Sequence, residues 1–466
     1  MRFDQKMFLL PVMTALLAAC GGGGTDAPPP RGAIITAQLA GQATAAQIDA
    51  GTAASGVLAL TGAAECGVDI RYVLYMTRFN DQPATASAAV LVPNGTAAAC
   101  TGTRPVLLYG HGTTTEKSYN MADIVNNPEG SLVAAMYAAH GYIVVAPNFL
   151  GYDKSSLTFT PYLNAEASAI DMVDGLRAAK AHLASVGGVT PNSQLFISGY
   201  SQGGHVAMAT HKIIERDYPA EFTVTASAPM SGPHNLIKFT SQINSGPDVC
   251  PQLGSNDPNC TVNAGATIFT PLLLTSWQKS YGDLYKGANT VYQPAFAATT
   301  EDLFPTDTPL ADLIAAGKLP ADATFRKLFG TGGLILESFR AAFFTDPASG
   351  FKAAAQRNTL LGWTPKASMA MCYSMADPTV YAYNTTDAQA DFGSRGVIVP
   401  ALDVRGNLAV IAQTLGTGAA QIAGGFQLTY PAAGTQVGTP GTESDHANAA
   451  PFCSAFVRGY FQNFLN

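Results

Sequence analysis

Short, continuous apolar runs bounded by glycine or proline alternate along this chain with longer stretches in which apolar positions recur every three or four residues. The runs 105–109, 142–146, 194–198 and 222–228 predict strands, and 68–79 with 84–92 predicts an opening hairpin. The stretches 130–140 and 165–183 predict helices, with Ile170, Val173, Leu176 and Leu183 marking one face of the second. A further helix runs from Ser201 to about Tyr218. Strands that alternate with helices in this way predict an α/β fold with a mostly parallel central sheet flanked by helices. The pattern changes over residues 231–366, which hold the apolar segment 268–274 and the helix-like 334–344. That stretch is expected to form a helical cap or lid over the sheet. The alternative is a separate helical domain with no role at the site. Strand character returns at 367–375 and 397–404, and a closing helix is expected over 451–464. The sheet-forming core is thus expected in two parts, 36–230 and 367–466. No internal repeat is seen.

Composition narrows the class. With 466 residues, 47% hydrophobic and 12% charged, the chain can bury one large core plus an insertion, or form two domains. A net charge of -7 without any run of Lys or Arg argues against a nucleic-acid partner. Residues 1–19 carry Arg2 and Lys6, then an apolar run over 7–13, and end in Leu17-Ala18-Ala19 before Cys20, the pattern of a signal peptide. That ending resembles the bacterial lipobox, which would make Cys20 a lipid anchor; the alternative is an ordinary secretory signal with a stray cysteine. Gly21 after it, by analogy with lipoprotein sorting, favours the outer membrane of a bacterial cell envelope, with secretion as the alternative. Residues 20–35 are expected to form a lipidated tether, flexible in its glycines and stiff in its prolines. No other run is long and apolar enough to span a bilayer.

Without Cys20 the chain has six cysteines, an even number for an oxidising compartment. Sequence allows 15 connectivities. Proximity favours Cys66 with Cys100, Cys250 with Cys260, and Cys372 with Cys453.

The chemistry centres on Gly199-Tyr200-Ser201-Gln202-Gly203, a Gly-x-Ser-x-Gly turn between a predicted strand and helix. A serine hydroxyl is a weak nucleophile, and such an elbow exposes it to a base. The pentapeptide alone is weak evidence; its context gives it weight. Nucleophile-elbow hydrolases order their triad as Ser, acid, His. Of seven histidines (His111, His140, His182, His205, His211, His234 and His446), only His446 lies beyond the strands that could carry the acid. It is expected in a polar loop before the closing helix. Asp377, directly after an apolar strand, is the chosen acid; Asp403 is the nearest competitor, and Asp387, Asp391 and Asp445 are weaker. A Cys372–Cys453 disulfide would tether the acid-bearing strand to the segment after the histidine. The oxyanion needs N–H donors. One is expected from Gln202 and the other from Thr113, in the loop Tyr109-Gly110-His111-Gly112-Thr113. His205 reads as a packing residue.

These residues together resemble the α/β-hydrolase superfamily and, within it, the secretory lipase family with its fungal and bacterial esterase relatives. The matching pieces are Tyr-Gly-His-Gly at 109–112, Ala-Pro-Asn-Phe-Leu-Gly-Tyr at 146–152, the helix end at 174–179, Gly-Tyr-Ser-Gln-Gly-Gly at 199–204, and Asp377-Pro-Thr-Val with Asn384-Thr385 downstream. They cover roughly 68–231 and 367 onward; the insertion matches no motif. Asn148 stands where many relatives have Asp, at a position that is structural. The resemblance implies an α/β-hydrolase fold and hydrolysis of acyl esters, as a carboxylesterase or lipase. No metal or organic cofactor is required, and the expected partners are an ester substrate of small-molecule, lipid or polyester type and, through Cys20, a membrane. Two other readings stand beside it, a prolyl-type serine peptidase and a non-catalytic envelope protein using the fold for binding.

Overall fold

The computed structural model describes residues 29–245, 265–322 and 325–465. Residues 1–19, Cys20, and the Cys250–Cys260 pairing therefore lie outside the described residues. The strands are β1 (Ile34–Ala43), β2 (Gly67–Phe79), β3 (Gln82–Asn94), β4 (Thr103–Gly110), β5 (Ile143–Pro147), β6 (Thr190–Tyr200), β7 (Ala226–Met230), β8 (Ser368–Met369), β9 (Met371–Tyr373) and β10 (Ala401–Asp403). They form one sheet in the order β1-β2-β3-β5-β4-β6-β7-β9-β10, with β8 against β7. Pairings from β1 through β3 to β5 are antiparallel, and those from β5 to β10 are parallel.

The parallel strands read as unbroken apolar runs because both faces are covered. On β4, Val106 and Leu108 pack into the layer containing Val173, Leu176 and Val206, while Leu107 and Tyr109 face the layer containing Val133, Met136 and Phe456. The first layer uses helices α4 (Ala165–Val186) and α5 (Gln202–Asp217). The second uses α3 (Pro128–Met136) and α14 (Asp445–Gln462). Around them lie α1 (Ala45–Ala54), α2 (Leu58–Thr61), α11 (Tyr383–Ser394), α12 (Leu408–Leu415) and α13 (Thr417–Thr429).

Between β7 and β8 the described chain holds helices and no long strand: α6 (Leu236–Ser245), α7 (Ala266–Tyr281), α8 (Leu310–Ala315), α9 (Glu337–Thr345) and α10 (Gly350–Arg357). They share an apolar cluster of their own, built on Leu272, Leu274, Trp277, Tyr292 and Phe351, which also takes in Tyr162, Leu163 and Tyr381 from the flanking segments. The Trp277 indole donates to the Leu163 carbonyl at 3.2 Å. Thr306 N–H donates to the Thr115 carbonyl at 2.7 Å, so this helical layer also grips the loop after β4.

Several expectations differ from the structure. β1 was not expected, and it begins inside the stretch read as tether. Its side chains are mostly exposed, so it lacks the buried alternation that marks a strand. β7 starts at Ala226, not 222, because its pairing with β6 begins at Phe196 opposite Ala226. β10 shrinks to three residues; Ile398, in the apolar run before it, is 91% exposed. The closing helix starts at Asp445, so His446 lies in its first turn and not in a loop.

Candidate active site

Ser201 follows the end of β6 and caps α5 at φ 58°, ψ −119°, a conformation side-chain-bearing residues rarely adopt. Its N–H donates to the Met230 carbonyl at 3.0 Å, pinning the turn to β7. The bend is possible because a Cβ on Gly203 would lie 1.9 Å from the Gly110 carbonyl oxygen, and one on Gly199 would lie 2.4 Å from the Gly203 oxygen. Only glycine lets helix and strand approach this closely.

The histidine and acid reach the same sheet edge from other elements. His446 Nε2 is 2.8 Å from Ser201 Oγ, and its Nδ1 is 2.6 Å from Asp377 Oδ2. Asp377 follows β9 and is fully buried. Its Oδ1 accepts the N–H groups of Thr379 and Val380, each at 2.8 Å, which leaves Oδ2 turned to the imidazole. The Tyr200 hydroxyl donates to the His446 carbonyl. The helix turn carrying His446 is fixed through its neighbour: Asp445 accepts from Arg405 Nη2 at 2.6 Å and Nε at 2.9 Å, and from Ser374 Oγ at 2.7 Å. Arg405 in turn lies over the Phe426 ring and donates to the Tyr430 carbonyl.

The competing acids are occupied elsewhere. Asp403 accepts the N–H groups of Met375 and Arg405, both at 2.9 Å. Asp387 binds Asn235 and Lys238, and Asp391 binds Gly362 and Arg395. Two disulfides join Cys66 to Cys100 and Cys372 to Cys453. The second joins β9, just before Asp377, to the helix of His446.

Gln202 is the first residue of α5, where N–H groups have no acceptor within the helix. Thr113 faces it across a cavity that also borders Ser201, Phe239, Ile243, Phe269 and Leu273. The space enclosed is about 520 Å³, counting the part open to solvent, and its lining is mainly apolar. The Thr113 hydroxyl pairs with Tyr162 at 3.0 Å. His111 is buried beneath this loop and stacked on Phe149, and burial pushes its pKa down to about 4, so it is neutral. Its Nδ1 lies 2.7 Å from the Gly112 carbonyl and its Nε2 3.1 Å from that of Asn148; a neutral ring donates to one of them. Asn148 braces the same region: its side chain accepts from Met121 N–H and donates to Ser87. His205 is buried with its Nε2 3.0 Å from the Asn358 carbonyl, and its pKa is also lowered to about 4 by burial. Arg405 and Ser374 escaped the reading from sequence, because neither falls in a motif and each touches His446 only through Asp445.

No group of acidic, histidine or cysteine side chains among the described residues could hold a metal ion. No helix among them is long and apolar enough to cross a membrane.

The fold and this serine-centred edge define an α/β-hydrolase acting on carboxylic esters. The chain resembles the rice cell wall degrading esterase LipA from Xanthomonas oryzae at 28% identity, with a TM-score of 0.74 over 93% of this chain and 99% of that one. A ligand-bound form of the same esterase aligns at 30% identity and TM-score 0.71, covering 86% of this chain and 98% of that one. Candida antarctica lipase A in its closed state shares the fold at TM-score 0.54 and 11% identity, with 91% of each chain covered. No family model matches the sequence, and no curated protein does. The chain belongs to the α/β-hydrolase esterases and is an enzyme, a serine carboxylic ester hydrolase. Its disulfides are those of an exported protein.

Proposed function

We propose that ester cleavage proceeds through an acyl-enzyme on Ser201, with His446 as general base and Asp377 orienting the imidazole. As Ser201 Oγ bonds to the ester carbonyl carbon, its proton passes to His446 Nε2. The tetrahedral oxyanion is met by the N–H groups of Gln202 and Thr113. Collapse breaks the bond to the alcohol oxygen, which takes the proton from His446. Water then attacks the acyl carbon, gives a proton to His446, and releases the carboxylic acid as Ser201 regains its own. The observation that carries this reading is the unbroken contact chain from Ser201 through His446 to Asp377, opening on an apolar cavity.

The described helices between β7 and β8 are read as the cap that supplies the acyl pocket through Phe239, Ile243, Phe269 and Leu273. The substrate is then an ester with an apolar acyl group. Similarity to an esterase described as degrading rice cell walls makes cell-wall esters the first natural substrates to assay.

The test is hydrolysis of p-nitrophenyl esters of increasing acyl length. Ser201→Ala is expected to lower kcat by at least about 10³-fold, and Leu273→Trp to shift preference toward short acyl groups. Equal rates for wild type and Ser201→Ala would overturn the mechanism.

A further inference from the structure

The loop that offers Thr113 to the cavity is held by two side chains that nothing so far has given a role in the reaction. Its backbone runs Gly110-His111-Gly112-Thr113 off the end of β4. The Gly112 N–H donates to both carboxylate oxygens of Glu129, at 3.0 Å each. The Gly112 carbonyl lies 2.7 Å from His111 Nδ1. The first of two successive peptide groups is therefore gripped from the protein side, and the carbonyl of the second faces the buried imidazole. In a trans peptide the N–H points opposite to the C=O. The carbonyl that faces His111 belongs to the same peptide as the Thr113 N–H, so that N–H points away from the imidazole. Among the described residues it meets no hydrogen-bond acceptor, and Thr113 lines the cavity beside Ser201.

Glu129 is built for this hold. It sits in the first turn of α3, behind Pro128 at the start of the helix and the side-chain cap of Asn127 onto Gly130. As a residue Glu129 is only partly buried, yet its carboxylate is turned inward onto three donors. Oε1 also accepts the Tyr109 hydroxyl at 3.0 Å, and Oε2 the Tyr119 hydroxyl at 3.2 Å. With Tyr109 at the end of β4 and Tyr119 in the loop beyond, the carboxylate ties three points of the segment to one rigid helix end. No cation among the described residues forms an ion pair with it, and removal from water holds its carboxyl above the usual range despite those donors. A carboxyl group buried at that cost, with its two oxygens shared by one glycine N–H, does more for the loop than fill space.

We propose that Glu129 is a positioning residue for the reaction: by fixing the Gly112 peptide it aims the Thr113 N–H at the developing oxyanion. The proposal rests on the acyl-enzyme reading above. The experiment compares wild type, Glu129→Gln, Glu129→Leu and Ser201→Ala in the full chain, measuring kcat and KM for p-nitrophenyl butyrate, the inhibition constant of a trifluoromethyl ketone that forms a tetrahedral adduct, and Tm. A preorganised donor is worth about 10²–10³ in kcat. Glu129→Leu is expected to lose about 100-fold in kcat with KM changed less than threefold, and to weaken ketone binding by a similar factor. Glu129→Gln, which keeps one acceptor, should fall between it and wild type. A folded Glu129→Leu with kcat within threefold of wild type would overturn the proposal. So would a kcat loss that leaves ketone binding intact, because that pattern marks damage outside the oxyanion site. If Glu129→Leu does not fold, the graded response of kcat and ketone binding in Glu129→Gln decides alone. Wild-type rates in Ser201→Ala would instead remove the underlying mechanism, whatever Glu129 does.

Discussion

Buried ionisable side chains in this enzyme divide into those with full hydrogen-bond sets and those without. Asp377 belongs to the first kind, with both oxygens engaged. Asp171 belongs to the second. It is fully buried on α4, accepts the Tyr75 hydroxyl on one oxygen at 2.8 Å, and has no partner on the other. Burial raises its pKa to about 7. An acid with a folded pKa above its unfolded value binds its proton more tightly when folded. Stability is therefore lost as pH rises from about 4 through about 7, by on the order of 4 kcal/mol for the isolated group. Replacing Asp171 by Asn removes the titration. Denaturant melts at pH 5 and pH 8 should show a smaller fall in stability for Asp171→Asn than for wild type; an identical fall would refute the assignment.

At the level of elements, His446 and Asp377 arrive on separate pieces of chain, α14 and the turn after β9. The Cys372–Cys453 disulfide joins these two pieces, with a sequence separation of 81. Closing a loop of that length in the unfolded chain is worth roughly 4 kcal/mol by the chain-entropy account. A Cys372→Ser/Cys453→Ser double variant is thus expected to show a markedly lower Tm in calorimetry. It should retain measurable esterase activity at low temperature, because the Arg405–Asp445 pair and Ser374 still hold the first turn of α14. An unchanged Tm would show that this link does not constrain the unfolded chain.

For the whole molecule the question is where the catalytic domain works. If Cys20 is acylated, nine peptide steps separate the lipid from Pro29, and even fully extended they reach only about 30 Å. The domain would then stay within its own diameter of the bilayer. We expect Cys20→Ser to move the protein from the membrane fraction to the soluble periplasmic or secreted fraction without changing kcat per molecule. Membrane association that persists in Cys20→Ser would rule out this anchor.

Most of the sheet could be read along the chain because its parallel strands are buried on both faces and so appear as continuous apolar runs. The elbow could be read because a close helix-to-strand contact admits only glycine at 199 and 203, and that constraint is written in residue type. The candidate base followed from chain order among a handful of histidines. Other features left no such mark. β1 is an edge strand with exposed side chains, and α12 and α13 expose much of their apolar surface, with Leu428 at 86%. The start of α14 lacks a side-chain cap and is held instead by Arg405, 40 residues away. Glu129 reaches Gly112 across 17 residues and carries no motif. Residue type therefore dictated whatever rests on local sterics and two-sided burial: the strands, the turn and the serine it presents. Which carboxylate meets His446, and which one grips the Gly112 loop, depends on distances between segments remote in sequence, and those exist only once the chain has packed.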